Sequence, residues 1–279
     1  MNTFPTTSNI KEKKLNDTVV RKVQIENINE NVKGADMFPI LYPNVFIAAS
    51  KNSGKTMNIY NIINNSLQKG SIIFVFCSSH YNDQVWQKIK ELCEKKEIIA
   101  TFYTDLVNEG INTIQAIIES IKEIAAEREQ EQPEPEPDML HPDEEGNMIS
   151  VKVKKERKPK YNSPEYTLIF DDMAGSLTNP DIAALVKRNR HFHCRTIMSS
   201  QDGKDIRPAT ISNMDYLLLY PNITHARLEH IYEALGMNHI TFEDFKKLYY
   251  HATSAPYNFL YIDRKTGKFR HNYDKEISI

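Results

Sequence analysis

Glycine is scarce in this chain, nine residues in 279, so each position that keeps one carries information. Cysteine is scarcer. The three present (Cys77, Cys93 and Cys194) are odd in number, with no CxxC pair and no zinc-ligand spacing. That pattern points away from a disulfide scaffold and toward a reducing intracellular setting. No apolar run approaches the roughly 18 to 20 residues needed to cross a bilayer. Residues 71–77 (SIIFVFC) are about the longest such run, so no membrane partner is expected. The first 16 residues are polar and lack an apolar core, so no secretory signal is expected either. Nor is there an excess of either charge: 35 Lys and Arg face 37 Asp and Glu, a net −2. This balance excludes a protein that coats DNA by bulk positive charge, but not one that grips DNA locally.

What is present, 40% hydrophobic and 26% charged residues, is the profile of a soluble globular chain. Its length suits one large domain or two small ones. Residues 1–35 read as a polar extension in which only 19–25 alternates like a strand. A single domain is expected over 36–279. Short, almost uniformly apolar runs at 44–49 (NVFIAA), 71–77, 98–102 and 166–170 (YTLIF) predict strands buried on both faces of a parallel sheet. Further strands are predicted at 195–200 and 215–220. Between them, apolar residues at helical spacing predict helices over 55–67, 83–96, 111–126 and, from the Asn179-Pro180 start, 180–190. Two more helices are expected at 225–235 and 242–252, followed by a C-terminal β-hairpin at 258–263 and 268–272 turning at Thr266-Gly267. Strand and helix alternating in this way specify an α/β domain with a mostly parallel central sheet flanked by helices.

One stretch breaks the rhythm. Residues 127–145 hold nine acids, one Arg and four prolines, and 152–160 reverse the sign with six basic residues and one acid. Residues 127–163 lack the apolar content to build a core, so they are expected to form a solvated insertion, disordered or a loose hairpin. The alternative is a nucleic-acid or partner-binding flap carried by Lys152, Lys154, Lys155, Arg157, Lys158 and Lys160. Setting the insertion aside removes seven basic and ten acidic residues, leaving 28 and 27.

The chemistry concentrates at residues 49–56, Ala49-Ser50-Lys51-Asn52-Ser53-Gly54-Lys55-Thr56. They match the phosphate-binding pattern GxxxxGK[ST] except that Ala49 stands at the first Gly. Such a loop wraps backbone N–H groups around the phosphates of a nucleotide at the positive end of the next helix. Lys55 would reach the terminal phosphates of ATP, and the Thr56 hydroxyl would be a ligand for Mg2+. Alanine is tolerable at position 49 if the residue keeps a negative φ.

Asp171 and Asp172 follow the apolar strand at 166–170. Carboxylates at the carboxyl end of a central strand lie where open α/β sheets bind ligands. Asp171 would hold the metal and Asp172 would orient or deprotonate the attacking water. The plainer reading is a pair of loop-starting acids. Lys55 and Asp171 are 116 residues apart, 79 without the insertion, room for two strands and their crossover helices. An extra strand between the two motifs points to the P-loop branch that hydrolyses ATP in motors. No NKxD guanine reader is present, which disfavours a GTPase. Gln201, at the tip of the strand 195–200, could sense the γ-phosphate; alone it would be an ordinary loop amide. Arg188-Asn189-Arg190-His191 end a helix. Arg190, or Arg188, could complete a neighbouring subunit's site as an arginine finger, or simply complement the helix dipole. His191, His193 and Cys194 lack a second ligand pair nearby and read as ordinary residues.

Together these segments resemble the poxvirus-type genome-packaging ATPases of large DNA viruses and virophages, in the FtsK/HerA superfamily. The matching pieces are AASKNSGKT at 48–56, LIFDD at 168–172, RNRHFHCRTIMSSQ at 188–201, IRPATISNMDYLLLY at 206–220 and YIDRKTGKFRHNYD at 261–274, with FCSSHYNDQVW at 76–86 a fainter echo. The resemblance covers most of 44–274 outside the insertion. It implies a RecA-like P-loop NTPase of the ASCE type, with the phosphate-loop, acidic and Gln201 strands adjacent. It also implies ATP hydrolysis driving double-stranded DNA into a preformed capsid. The implied partners are double-stranded DNA, further copies of the chain in a ring homo-oligomer with active sites between subunits, and the viral capsid or portal vertex. The implied location is the host-cell cytoplasm or virus factory, or the virion. Asp172 departs from the Glu found in many members of the wider superfamily and reaches about one bond less far. Two other readings stay open: another FtsK/HerA-type DNA translocase, and a P-loop regulatory protein that binds ATP without turning it over.

Overall fold

The computed structural model describes residues 27–108, 110–130, 140–142, 148–150, 160–173, 175–201 and 206–279. The apolar runs become strands and the helical-spacing runs become the helices between them. In chain order these are β1 (Asn44–Ala48), α1 (Lys55–Ser66), β2 (Ile72–Phe76), α2 (Gln84–Lys95), β3 (Ile99–Tyr103), β4 (Val107–Asn108), β5 (Ile111–Asn112) and α3 (Thr113–Gln130). Then follow β6 (Leu140–Pro142), β7 (Met148–Ser150), β8 (Tyr166–Asp171), α4 (Pro180–Arg188), β9 (Cys194–Ser200), α5 (Pro208–Ile211) and β10 (Tyr216–Leu219). The chain closes with α6 (His225–Leu235), α7 (Phe242–Ala252), β11 (Leu260–Asp263), β12 (Lys268–His271) and β13 (Lys275–Ile277).

Nine strands form one sheet in the order β13-β12-β11-β10-β1-β9-β8-β2-β3. The six from β10 to β3 are parallel; β11, β12 and β13 add an antiparallel edge. Successive strand residues face opposite sides, and both sides are covered. Val45 and Ile47 of β1 share a buried cluster with Ile59 and Ile62 of α1 and with Trp86 and Ile89 of α2. Phe46 and Ala48 belong to the cluster on the other face, with Ile117 of α3, Leu185 of α4, Leu228 of α6 and Phe245 of α7. Every residue of β1, β8, β9 and β10 is buried, so none of these strands alternates between core and solvent; β10 is apolar, while β1, β8 and β9 also bury polar residues, among them Asn44, Thr167 and Arg195. No helix among the described residues is long and apolar enough to cross a membrane.

The two strands and crossover helices expected between the motifs are β2, β3, α2 and α3. Four details differ from expectation. Residues 111–112 pair with β4 instead of starting the helix, because Gly110 turns the chain at φ +81 and the Asn112 side chain accepts from the Gln115 amide. Helix α3 then runs to Gln130, so the first residues of the charged segment continue it. Helix α4 stops at Arg188, and a 3-10 turn over Asn189–Phe192 ends on His193 at φ +48. The C-terminal hairpin gains a third strand, β13. Within the charged segment, β6 and β7 form an antiparallel pair. Most of the acidic and basic blocks, and the alternating run at 19–25, lie outside the described residues.

Candidate active site

Strands β1, β9 and β8 are parallel neighbours, so whatever follows each emerges at one edge of the sheet. Ala48 is in register with Ser200, and Ser199 with Asp171. Loop 49–54, the Asp171-Asp172 pair and Gln201 therefore meet at the carboxyl ends of three central strands.

The loop is tied down at its start by the Ala49 amide, which donates to the Ser200 carbonyl at 3.0 Å. Ala49 is fully buried and has no positive φ, so its methyl group carries no left-handed penalty. Ser53 Oγ donates to the Ser50 carbonyl at 2.6 Å, closing the loop on itself. Gly54 takes φ +92 and precedes α1 as its N-cap, with no capping side chain and no acidic residue in the first helical turn. The positive end of α1 is thus left without an anionic side chain of its own.

Asp171 is buried at the end of β8, and its two oxygens meet four donors from three other elements. Oδ1 accepts from Ser199 Oγ of β9 and lies 3.2 Å from Lys55 Nζ. Oδ2 accepts from Trp86 Nε1 of α2 at 3.1 Å and from Thr56 Oγ1 at 3.5 Å. Asp172, one residue on, adopts φ +56, a conformation costly for a non-glycine residue. Its Oδ1 accepts from Gln201 Nε2 at 2.7 Å and lies 3.4 Å from Lys55 Nζ. The Asp172 side chain is one-third exposed, within reach of water, whereas that of Asp171 is not.

These residues fit a magnesium nucleoside triphosphate. Lys55 Nζ is buried between two carboxylates and ion-paired to both, though neither contact has good hydrogen-bond geometry. Thr56 and Asp171 offer the hard oxygen donors that Mg2+ prefers. The cavity above them measures about 1030 Å³ and reaches from the loop to Tyr257, Phe259 and Tyr273 near the C-terminus.

Several of the residues that shape the site escape sequence reasoning. Trp86 is the chain's one tryptophan, and its spacing on α2 reads as plain core; Ser199 is one of two serines closing β9. Tyr257 lies in a connection without periodicity. Conversely, Arg190 is not brought to the loop of its own chain. Its Nη2 donates to Asp215 Oδ1 at 2.8 Å, and Asp215 Oδ2 accepts from the Asn44 amide at the start of β1. That is the opposite edge of the sheet. Burial pushes the Asp215 carboxyl above its ordinary range, although the Asn44 amide and the Arg190 guanidinium both draw it down. Arg188 is exposed in the last turn of α4.

No family model and no curated protein matches the sequence. Among solved structures, the genome packaging NTPase B204 from Sulfolobus turreted icosahedral virus 2, in complex with ATP-gammaS, matches with a TM-score of 0.51 at 14% identity, over 82% of this chain and 95% of that one. The same protein in complex with AMP gives 0.50 at 14% identity, over 83% and 97%. The cytoplasmic domain of the Thermomonospora curvata type VII secretion ATPase EccC gives 0.46 at 11% identity, over 79% of this chain and 24% of that one. The chain thus has the fold of a P-loop NTPase, and the family resemblance of its motifs is consistent with the B204 matches.

A first expectation follows from the indole at Asp171. Trp86→Phe keeps a ring in the core but removes the N–H donor, and should weaken magnesium-dependent ATP binding about tenfold, the worth of one hydrogen bond to a charged acceptor. Calorimetric titration checks this; unchanged affinity would mean that the indole only packs.

Proposed function

We propose that this chain is the ATP-hydrolysing subunit of a motor that drives double-stranded viral DNA into a preformed capsid. The observation that carries the reading is the gathering of Lys55, Thr56, Asp171, Asp172 and Gln201 at one sheet edge, with the Lys55 ammonium ion-paired to both carboxylates. The match to a viral packaging NTPase over nearly its whole length supports it.

Each residue has a defined part. Backbone N–H groups of loop 49–54 and the start of α1 bind the β- and γ-phosphates of ATP. Lys55 then turns from the two carboxylates to the terminal phosphates. Thr56 and Asp171 would hold Mg2+, which would supply neutralisation of the charge developing on the phosphate oxygens. Release from Lys55 leaves Asp172 free to accept a proton from water as the water oxygen bonds to the γ-phosphorus and ADP departs. Gln201 holds Asp172 in place through the bond to Oδ1. Asp172, one bond shorter than Glu, sits on a left-handed backbone with its carboxylate against Lys55 and Gln201.

A packaging motor acts as a ring of identical subunits with sites between neighbours. In that ring Arg190 would serve the next subunit as a finger, with Arg188 as the alternative; its exposure on the edge of the sheet away from its own loop supports this reading. The further partners are double-stranded DNA and the capsid or portal vertex. The setting is the host-cell cytoplasm or virus factory, or the virion.

Lys55→Ala should abolish ATP turnover while circular dichroism stays that of the parent. Asp172→Asn should still bind ATP but hydrolyse it about 10² to 10⁴ times more slowly. Retained turnover in the first would remove the central claim, and unimpaired hydrolysis in the second would reassign the base. Mixing Arg190→Ala subunits with Lys55→Ala subunits should restore part of the activity that each lacks. Absence of rescue at every ratio would contradict a finger acting in trans.

A further inference from the structure

The connection between α7 and β11 folds back over the phosphate loop and presents one aromatic side chain to it. Tyr257 Cδ1 lies 3.1 Å from where a side-chain carbon on Gly54 would begin, so the ring rests on the loop itself. Two-thirds of the residue (68%) is exposed, and the exposed Met57 lines the same cavity. Exposed aromatic surface over a polar loop has no packing rationale within the chain.

The other rings of the cavity are committed. Tyr220 packs against Phe259 at 5.1 Å between centroids, and Phe259 meets Tyr273 edge-on at 5.1 Å. The hydroxyls of Tyr220 and Tyr273 are both bonded to the Asn58 side chain. Tyr257 differs: among the described residues it has no aromatic neighbour, and its hydroxyl has no hydrogen-bond partner. It is also held in a costly conformation, φ +66, which a tyrosine adopts only where the surroundings impose it. Here they do. The Asn258 side chain accepts from Asn272 Nδ2, and Asn272 Oδ1 accepts from the Phe259 amide, pinning the connection to the turn after β12. The ring is therefore presented by a built turn, with one face open. On the same cavity wall as Met57, the Asn61 side chain is likewise without a hydrogen bond among the described residues.

We propose that Tyr257 is the platform on which the base of the bound nucleotide stacks, with the Asn61 amide at the base edge or ribose. This rests on reading residues 49–56 as the triphosphate site. A cavity of about 1030 Å³ leaves room beyond the phosphates, and a flat π-face beside the loop is what a nucleobase, but not a bare polyphosphate, would use. Tyr257 thus separates nucleotides from inorganic phosphates, a distinction the loop cannot make.

The test is equilibrium binding of ADP and of pyrophosphate to the full chain and to three variants. Tyr257→Ala should weaken ADP binding about 5- to 150-fold, the range of one base–aromatic stack, and leave pyrophosphate binding unchanged. Tyr257→Gly suits the positive φ, so it should melt at or above the parent's temperature and still lose ADP affinity to the same extent. Tyr257→Phe, which keeps the ring, should bind ADP like the parent. Unchanged ADP affinity in Tyr257→Gly, or equal losses for ADP and pyrophosphate, would overturn the platform while leaving the phosphate site intact. A parent chain that binds neither ligand would overturn the phosphate site, and the platform with it.

Discussion

The Asp171 carboxylate holds the rest of the site together. A buried carboxylate is costly unless every oxygen is paired, and here the pairing comes from α1, α2 and β9 at once, through Lys55, Thr56, Trp86 and Ser199. The phosphate loop is therefore tied to the acidic strand before any ligand arrives. The tie is also exchangeable. Lys55 and Thr56 can move to phosphate and metal, while the Trp86 and Ser199 bonds keep the carboxylate oriented. Asp172 shares Lys55 with Asp171, so in the proposed mechanism the same exchange that admits the nucleotide would uncover the base.

The parallel strands give the molecule two unlike edges. At their carboxyl ends sit the loop, the two acids and Gln201. At the amino end of β1 sit Asn44, Asp215 and Arg190. A ring in which one edge of a subunit faces the other edge of its neighbour would bring cation and nucleotide together, and would make hydrolysis depend on assembly. The charge outside the insertion, 28 basic against 27 acidic residues, suits a motor that holds its track loosely and releases it at each step.

Much of this is legible in the sequence because strands buried on both faces are mostly apolar; β9, which buries Arg195, Thr196, Ser199 and Ser200, is the exception. The runs at 44–49, 71–77 and 166–170 appear as β1, β2 and β8 within a residue or two at each end. The loop and the acids are legible because their chemistry demands fixed residue types directly after such strands. What escapes is whatever depends on contacts between distant elements. No periodicity separates an indole that only packs from one whose N–H reaches a carboxylate 85 residues away. Tyr257 depends on a positive φ and a turn pinned by Asn258 and Asn272, neither of which leaves a pattern along the chain. The shift of the α3 start to Thr113 follows from one turn at Gly110, a local feature that helical spacing alone does not register.

The reading of a DNA-driven motor is tested most directly by the ATP hydrolysis rate of the purified full chain with and without double-stranded DNA. The proposed mechanism predicts strong stimulation by duplex DNA, because hydrolysis and grip on the track are coupled. A turnover rate indifferent to DNA would contradict the motor and leave a nucleotide-binding protein of some other purpose.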